Sequence, residues 1–537
     1  MQYDRTPPGK KSMATTGIQK TLWTLLLLWP IHTTAQEVAR DTTIAGQTYA
    51  LLPADVLIAQ LRSAGPGPRL HYTRTVFSGP LFARAAGIDT VRAALDFSEV
   101  RFLGEVSLDQ VVFLEPVHLA RTVFAMGLSL MGTRFLAPLD LSAAHFRKQA
   151  SFKQAAFLDR TDFSESKFYE VGSFIETQFH GPTSFSQVLF KDIIYFEGAD
   201  FSGPVDFQDA FYEGIASFKE AVWQRTVSFS GAHFRERVMF WQARFAGGAS
   251  FDTAWFGDEV SFSQARFATR ASFHHTTFEG PAHFDQTIFR APAYFVDSRF
   301  QKDADFIGAR FHAGLHLNAF FNTTLDLRHI RTPLLDLQPP AEKLPDMRAD
   351  STFADTAQIY LQGAHYQQIL ARFSQLQGRL ATRDATLEDL APVYASLRRH
   401  LQAQGLNRDA SACRVEWLER RRHTLNWTEG KKYWLQLLWL SSGYLTDLWR
   451  LVCFAFFSVL LFSVLFRLWR PSLQSIHDKS SPSFLDCLYL SVQIFIRLGP
   501  GSWHATGPAR LLIVAAALLG WICWALFIAT FLSLWWS

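Results

Sequence analysis

The sequence predicts a mainly β protein, in which a long array of short extended segments joined by turns is followed by helices and two membrane spans. Phe occurs 50 times among 537 residues, against 13 Tyr, and large apolar residues recur in alternating steps of five and six from Phe97 to Leu317. After position 330 the apolar spacing becomes helical. Two long uncharged apolar runs then lie near the C-terminus.

Residues 1–35 are predicted to be a signal peptide. Lys10, Lys11 and Lys20 precede the apolar run Leu22–Trp29, and small residues follow up to Ala35. A basic stretch, a short apolar stretch and a small-residue end are typical of secretory signals. The run is too short to cross about 30 Å of hydrocarbon as a helix. An uncleaved anchor is the alternative, and in both cases the chain that follows leaves the cytoplasm.

Residues 36–96 are predicted to form an N-terminal cap, with a helix over Pro53–Arg62 and then short strands. Each unit of a repeat array buries its apolar face only against its neighbours, so the ends of the array need cover.

The repeat array occupies residues 97–330. Its regularity is clearest in the run Phe251, Phe256, Phe262, Phe267, Phe273 and Phe278. A period of eleven residues is also compatible with a right-handed helical supercoil. Gly-Pro pairs at 181–182, 203–204 and 280–281 exclude a continuous helix. Asp, Ser, Thr and Gly fill the intervening steps, as turns require.

Segments such as Ala199-Asp-Phe201-Ser-Gly and Ala309-Arg-Phe311 resemble pentapeptide repeats, in a variant where five- and six-residue steps alternate. The resemblance implies a right-handed quadrilateral β-helix in which the central Phe and the small residue two before it both point inward. Phe262 and Phe267 would then occupy neighbouring faces of one coil. About ten coils are expected, with a rise of roughly 4.8 Å each.

The exterior of this rod gives no indication of chemistry. From Phe97 to Leu317 there are about 26 acidic and 20 basic residues, and the whole chain carries a formal charge of +4, so no nucleic-acid partner is expected. His274, His275 and His283 could bind a metal, but no carboxylate spacing matches them, so solvated surface histidines are the preferred interpretation. No cofactor motif and no catalytic motif is present, so we expect neither a cofactor nor an enzyme.

Residues 331–447 are predicted to be a helical linker with an interfacial segment. Apolar residues at helical spacing predict helices over Ala357–Ala381, Leu387–Gln404 and Arg408–His423. The Trp- and Leu-rich stretch Tyr433–Leu448, broken by Ser441-Ser-Gly443, resembles an interfacial helix.

The segment from Tyr394-Ala-Ser-Leu-Arg398 to Gly405-Leu-Asn-Arg-Asp409 is similar to the helical linker of pentapeptide-repeat proteins that carry a channel domain. The resemblance implies that a membrane module follows.

That module is predicted over residues 448–537. Leu451–Phe466 and Leu511–Trp536 are apolar enough to span a membrane and have Trp near their ends. Between them, Ser483-Phe-Leu-Asp486 predicts a capped helix start, and Phe484–Ile496 is too short to span. A glycine-bearing loop follows, so the segment is predicted to re-enter the surface that it left.

Span, half-helix, Gly-x-Gly loop and span together resemble the pore module of two-helix potassium channels. The resemblance assigns Asp486, Tyr489, Ser491 and Phe495 to a pore helix, Gly520 to an inner-helix hinge, and Arg497, Leu498, Gly499, Pro500, Gly501 and Ser502 to the filter position. It implies monovalent ions as ligands and a homotetramer, because one such loop cannot enclose a path.

The filter position departs from that family. Carbonyl oxygens of a Thr-Val-Gly-Tyr-Gly-Asp run replace the hydration shell of the ion in such channels. Arg497 stands where Thr is expected, Pro500 replaces Tyr, and Ser502 replaces the terminal acid. A cation at this place raises the barrier for cations. Alternatively, Arg497 is a buried residue paired with Asp486 or with a helix carbonyl.

Two functions follow from these observations. The first is an ion channel or degenerate pore in a bacterial-type inner membrane. The second is a non-conducting membrane-anchored scaffold whose β-helix binds an envelope protein or another copy of the chain. An exported N-terminus places the repeat array on the periplasmic side and turns the pore-like loop towards the cytoplasm, inverted relative to the channel family. Membrane lipid is a partner in both cases.

Overall fold

The structure is a computed structural model that describes residues 42–44, 47–65, 67, 69–339, 352–382, 386–469, 473–475, 482–496 and 503–535. The predicted signal peptide, residues 1–35, lies outside this range. The first compact unit ends at Leu51 and contains an antiparallel hairpin. In it, β1 (Thr42–Ile44) pairs with β2 (Gln47–Pro53), and Thr42 lies opposite Tyr49.

The second unit begins with helix α1 (Ala54–Ser63), which confirms the helix predicted over Pro53–Arg62. Pro53 stands at the N-cap with φ −65°, the angle that its ring imposes. Leu57 and Leu61 on one face of the helix are buried. They lie over the first coils of the repeat array and close its apolar interior.

The array is a β-solenoid of about 13 turns ending near residue 336. One coil consists of Arg101–Phe102, Val106–Ser107, Val112–Phe113 and Val117–His118, each on its own face. Every strand pairs in parallel with the strand one coil further on, so that Val112 lies opposite Arg134. The turns exceed the ten expected because coils begin inside the predicted cap, where Thr75–Ser78 already pairs with Arg101–Phe102.

Most strands are two residues long and recur every five or six residues from Arg101–Phe102 to Phe320–Phe321. The remaining strands of the solenoid are Arg69–His71, Thr75–Ser78, Leu81–Phe82, Thr90–Val91, Ala94–Asp96, Thr324–Asp326, Arg331–Asp336, Gln358–Tyr360 and His365–Leu370.

The core consists of aromatic rings stacked along the four faces. Phe262 lies 5.0 Å from Phe284, one coil away, with ring planes 6° apart. Phe267 lies 6.1 Å from Phe262 on the next face of the same coil, at an interplanar angle of 47°. Ala265 and Ala271, each two residues before a core Phe, are fully buried. The predicted inward pattern is therefore confirmed.

The corners of the coil are left-handed even where the residue is not glycine. Gln242, Gln264 and Gln286 have φ of 57°, 60° and 54°, in a region that non-glycine residues rarely occupy. The side-chain Nε2 of Gln242 donates a hydrogen bond of 2.8 Å to Oε1 of Gln264 one coil away. The neighbouring rung thus supplies a hydrogen-bond partner to the corner at Gln242.

The first coils are less tightly filled than the others, because Leu108, Leu119, Leu130 and Leu141 stand where later coils have Phe. These side chains line an entirely apolar cavity of about 40 Å³ under helix α1.

The prediction of a helix over Ala357–Ala381 is wrong. This segment instead adds a last layer to the solenoid, where Gln358–Tyr360 pairs with Thr324–Asp326 and His365–Leu370 pairs with Arg331–Asp336. Ile359 and Ile369 are buried in the common core. The last coil of a parallel solenoid has a row of backbone N–H and C=O groups without partners. This segment forms strands despite its helical spacing because, as strands, it hydrogen-bonds to those groups.

The helices beyond this point agree with the sequence. Gly405, with φ +73°, ends one of them as predicted, and Gly443, with φ +54°, ends the interfacial one. The elements are α2 (Phe373–Leu376), a 3-10 turn (Leu387–Leu390), α3 (Ala391–Ala403), α4 (Asn407–Thr424) and α5 (Gly430–Ser442).

Candidate functional site

The C-terminal module contains α6 (Leu448–Leu468), α7 (Phe484–Phe495) and α8 (Pro508–Trp535). By length and composition, α6 and α8 could cross a membrane, with mean hydropathies of 2.4 and 2.6 in their most apolar windows. Helix α7 is apolar but shorter. The order of a long, a short and a long helix agrees with the sequence prediction.

Helix α7 begins with the predicted capping box. The Ser483 hydroxyl accepts a hydrogen bond of 3.2 Å from the backbone N–H of Asp486. In return, Oδ2 of Asp486 accepts from the backbone N–H of Ser483 at 2.9 Å and from its hydroxyl at 2.7 Å. This carboxylate therefore caps its own helix.

One face of α7 packs between the two long helices. Cys487, Leu490 and Ile494 are buried in an apolar cluster shared with α6 and α8. Ser491 is also buried, and its hydroxyl donates to the carbonyl of Cys487 at 2.8 Å, so its polar group is satisfied inside the helix. Tyr489, on the opposite side, is 63% exposed.

Gly520 allows the closest contact within the module. A Cβ atom at this position would lie 2.7 Å from the carbonyl oxygen of Phe495, the last residue of α7. This distance is below any normal carbon–oxygen contact, and the neighbouring atom belongs to backbone. The missing side chain at Gly520 thus lets the C-terminal end of α7 pack directly against α8. We call this contact the seat at Gly520. The hinge that the channel resemblance assigned to Gly520 stays a prediction.

The described strands before and after α7 pair with each other. Leu473–Ser475, which follows α6, pairs antiparallel with Trp503–Ala505, which precedes α8. These strands lie at the Pro508 end of α8, whereas Phe495 contacts Gly520, about 18 Å further along that helix at 1.5 Å per residue. The re-entrant loop itself stays a prediction.

The six residues at the filter position, Arg497, Leu498, Gly499, Pro500, Gly501 and Ser502, lie outside the described residues. A pairing of Arg497 with Asp486 is therefore not tested. Of the other site residues, Asp486, Ser491 and Phe495 make the contacts given above.

The histidines of the solenoid do not form a metal centre in the described part of the chain, where no group of three or more His, Cys, Asp or Glu side chains could hold an ion. Nδ1 of His283 lies 3.0 Å from Oδ2 of Asp305. This hydrogen bond raises the pKa of His283 above its ordinary value. His274 lies against the ring of Tyr294.

The solenoid and the helices after it share one apolar core. The Tyr394 hydroxyl donates to Oε1 of Glu416 at 2.7 Å, and Asp409 accepts from the backbone N–H of Phe373, the first residue of α2, at 3.1 Å. Burial raises the pKa of the Cys413 thiol to about 12, which makes it unreactive. The segment that resembles a channel linker is thus fixed to the last coils.

A second set of contacts connects α4 to the module, and we call it the arginine joint. Arg414 donates to the carbonyl of Tyr444 at 2.7 Å, and Arg422 donates to the Tyr444 hydroxyl at 3.0 Å. The Arg422 guanidinium also lies 4.6 Å from the centroid of a Trp439 ring. These contacts are polar or cationic, in contrast to the apolar cores on either side.

Part of the solenoid matches a known family of repeats. The family model described as pentapeptide repeats (9 copies) matches residues 164–210, 213–255 and 273–319. These three segments lie entirely inside the solenoid. This part of the solenoid is built of pentapeptide repeats. No curated protein and no solved structure gives a significant match to the chain.

The pentapeptide-repeat assignment accounts for the central part of the chain, and the C-terminal module has no counterpart in these comparisons. Sequence reasoning missed two features there. The arginine joint depends on residues 30 positions apart, and the seat at Gly520 depends on a backbone approach. The small residues Ala515, Ala516 and Ala517 before Gly520 are the signal that could have indicated close helix packing.

Proposed function

We propose that this protein is a non-enzymatic, membrane-anchored scaffold, in which α6, α7 and α8 hold a rigid pentapeptide-repeat rod at the membrane surface. One observation carries the proposal. The solenoid with its helical neck has one apolar core, extending from Ala54 to Cys413, and the C-terminal module has a separate core around α7.

The exterior of the module differs from that of the rod. Phe457 and Leu461 on α6 are 66% and 57% exposed, and Leu511 and Leu518 on α8 are 74% and 60% exposed. Soluble monomers rarely expose a contiguous apolar surface of this kind, whereas membrane-spanning helices expose one to lipid. The rod instead carries mainly polar side chains at its outward positions, with a smaller number of exposed apolar residues such as Leu114, Leu136 and Leu158.

The N-terminal sequence supports export, so the proposal places the rod on the periplasmic side of a bacterial-type inner membrane. Its partners there are membrane lipid, an envelope protein and further copies of the chain. A rod whose shape is fixed by stacked rings presents the same surface at each rung, which suits it to hold partners at fixed separations.

The anchor is tested by alkaline carbonate extraction of membranes that contain the full-length protein. We expect the wild type to stay in the pellet and the double variant Leu461→Lys, Leu518→Lys to be released in part, because each lysine near a span centre costs about 2.5–3.5 kcal/mol. Leu136→Lys with Leu158→Lys, two exposed positions on the rod, is the matched control. Equal release of both double variants, or full release of the wild type, would reject the anchor.

A pore is the second candidate, and the packing of the short helix α7 between α6 and α8 favours it. A pore needs several copies around an axis, four if the channel resemblance holds, and it would pass monovalent ions. Liposomes containing the full-length protein would be assayed for potassium, sodium and chloride flux. Flux that is lost in Gly499→Val but kept in the rod variant Leu136→Lys supports a pore. Absence of flux for all three ions leaves the scaffold.

A further inference from the structure

One face of the solenoid carries a row of unpaired arginines, which we call the arginine ladder. Its members occupy equivalent outward positions on successive rungs, with Arg244 opposite Arg266 and Arg310 opposite Arg331. Ile288 takes the rung between the two pairs. All four arginines are exposed, and none forms an ion pair within the described residues.

The surroundings of the ladder are poor in carboxylates. Residues 242–248, 264–270, 286–292 and 308–314 contain no Asp or Glu, whereas Asp285 lies at the corner before Ile288 and Asp336 ends the strand of Arg331. Two further arginines belong to the same segments. Arg290 is exposed, and Arg270 lies over the ring of Tyr294 at 4.9 Å. Several other arginines of the described rod have an acidic partner, such as Arg237 with Glu259 at 3.0 Å. A cationic strip of this kind attracts an anionic partner.

The spacing of the ladder selects among anionic partners. Successive rungs of a β-solenoid are roughly 4.8 Å apart. An extended peptide presents same-side side chains about 6.7 Å apart, so its carboxylates would lose register within two rungs. A second solenoid with the same coil presents carboxylates at the same spacing over any length.

This chain has such a row on another part of its coil, which we call the acidic turn. Its members are Glu236, Asp258, Glu279 and Asp303. They lie in the turn that follows the Phe of one face, on successive coils, and the arginine ladder comes one full face later in each coil. The turn also contains Arg235, Lys302 and the ion pair of Arg237 with Glu259, so its excess of negative charge is smaller than the positive excess of the ladder.

Both rows occur at the same level of the rod. Glu236 shares a coil with Arg244, Asp258 with Arg266, and Asp303 with Arg310. Two copies anchored in one membrane by the proposed module stand parallel and at equal height. The acidic turn of one copy then meets the arginine ladder of the next without any axial shift.

We propose that the arginine ladder binds the acidic turn of a second copy of this chain, so that the rods associate side by side. The two surfaces differ, so the contact is heterologous and can continue from copy to copy into rows. Equal height rests on the proposed membrane anchor, whereas the charge complementarity does not.

The test uses the full-length protein in a neutral detergent and measures the distribution of copies by analytical ultracentrifugation. Arg244→Glu with Arg266→Glu is the ladder variant, and Glu236→Lys with Asp258→Lys is the turn variant. Arg92→Glu with Arg134→Glu is the control, because it removes the same charge from exposed arginines on or beside the same face, at least five rungs before Arg244. We expect each of the first two to weaken association at least about tenfold and the control to leave it unchanged.

The mixture of ladder and turn variants gives the sharpest outcome. Each such pair retains one intact ladder and one intact turn, and the reversed ladder of one variant is opposite in charge to the reversed turn of the other. Mixing the two variants should therefore restore the association that neither variant shows alone. Salt should weaken wild-type association, because exposed charges are screened. Equal behaviour of ladder variant and control, or loss with the ladder variant but not with the turn variant, would overturn the proposal. Carbonate extraction of the same variants reports on the anchor separately.

Discussion

The loosely filled first coils lead to a prediction in which enlarging a side chain stabilises the protein. Leu130 lines the cavity of about 40 Å³ under α1 and lies one coil before Phe152 on the same face. Phe152 itself stacks on Phe174 with centroids 4.5 Å apart. Leu130→Phe would therefore fill the cavity and extend this stack by one ring.

The magnitude follows from the volume. Cavities cost about 24 cal/mol per Å³, so filling about 40 Å³ recovers roughly 1 kcal/mol. A stacked aromatic pair adds about 0.5–1.5 kcal/mol. We therefore expect Leu130→Phe to stabilise the first coils by roughly 1.5–2.5 kcal/mol. The opposite change, Phe152→Leu, removes the ring that stacks on Phe174 and should destabilise the neighbouring coils by a similar amount.

Hydrogen exchange is the suitable assay, because a solenoid unfolds unit by unit and has no single free energy of unfolding. Peptides covering residues 97–163 should exchange roughly tenfold more slowly in Leu130→Phe and faster in Phe152→Leu. Peptides beyond residue 250 serve as an internal reference. Faster exchange in Leu130→Phe would mean that the site cannot take a ring without strain, and the account of the cavity would be refuted.

Three further predictions concern single sites. Among the described residues, the buried Tyr212 hydroxyl has no hydrogen-bond partner. Tyr212→Phe should therefore slow hydrogen exchange of its coil by the equivalent of about 1 kcal/mol or more, and faster exchange would contradict this. Gly520→Val should lower the melting temperature of the detergent-solubilised protein, because the added Cβ would meet the Phe495 carbonyl. Ala517→Val, at a half-buried position of the same helix, should lower it less. Equal shifts in melting temperature would reject the close contact at Gly520. The pKa of His283 is raised by Asp305, so its stabilisation is complete below about pH 6.5 and is lost as the pH rises through the raised value. Protection of its coil should fall between about pH 6 and 8 in the wild type but not in His283→Gln, and identical profiles would contradict this pairing.

The sequence was sufficient to predict the solenoid, because one residue type marks each face. Wherever Phe or Leu recurs in steps of five and six, as from Phe251 to Phe278, the faces are where the steps place them. Earlier coils were assigned to a cap because Leu81 and Val91 are not spaced in this way. Their membership depends on pairing with the following coil, which is a property of the assembled sheet.

The remaining misses have the same origin. His365–Leu370 has helical spacing but lies beside an open sheet edge. The quadrilateral coil that the pentapeptide resemblance implies already places Arg244 beside Arg266. The ladder was not predicted because the ion pairs that distinguish its arginines from others depend on side-chain contacts between coils. The candidate site was predicted in outline, because the capping box at Ser483 is a local signal. The seat at Gly520 was not predicted, because it depends on a distance between two helices.

The continuous core of the rod and neck also has a mechanical consequence. From α1 to Cys413 the chain is packed as one body, and the last coils are covered by helices α2 and α3. A lateral force on the first coils is therefore not absorbed by bending of the solenoid. It acts as a torque at the C-terminal end of the helical neck. The arginine joint, held by the contacts of Arg414 and Arg422 with Tyr444, is the first place with no shared apolar core to resist it. The rod and neck should therefore move as one rigid body, and bending relative to the C-terminal module should occur at Tyr444.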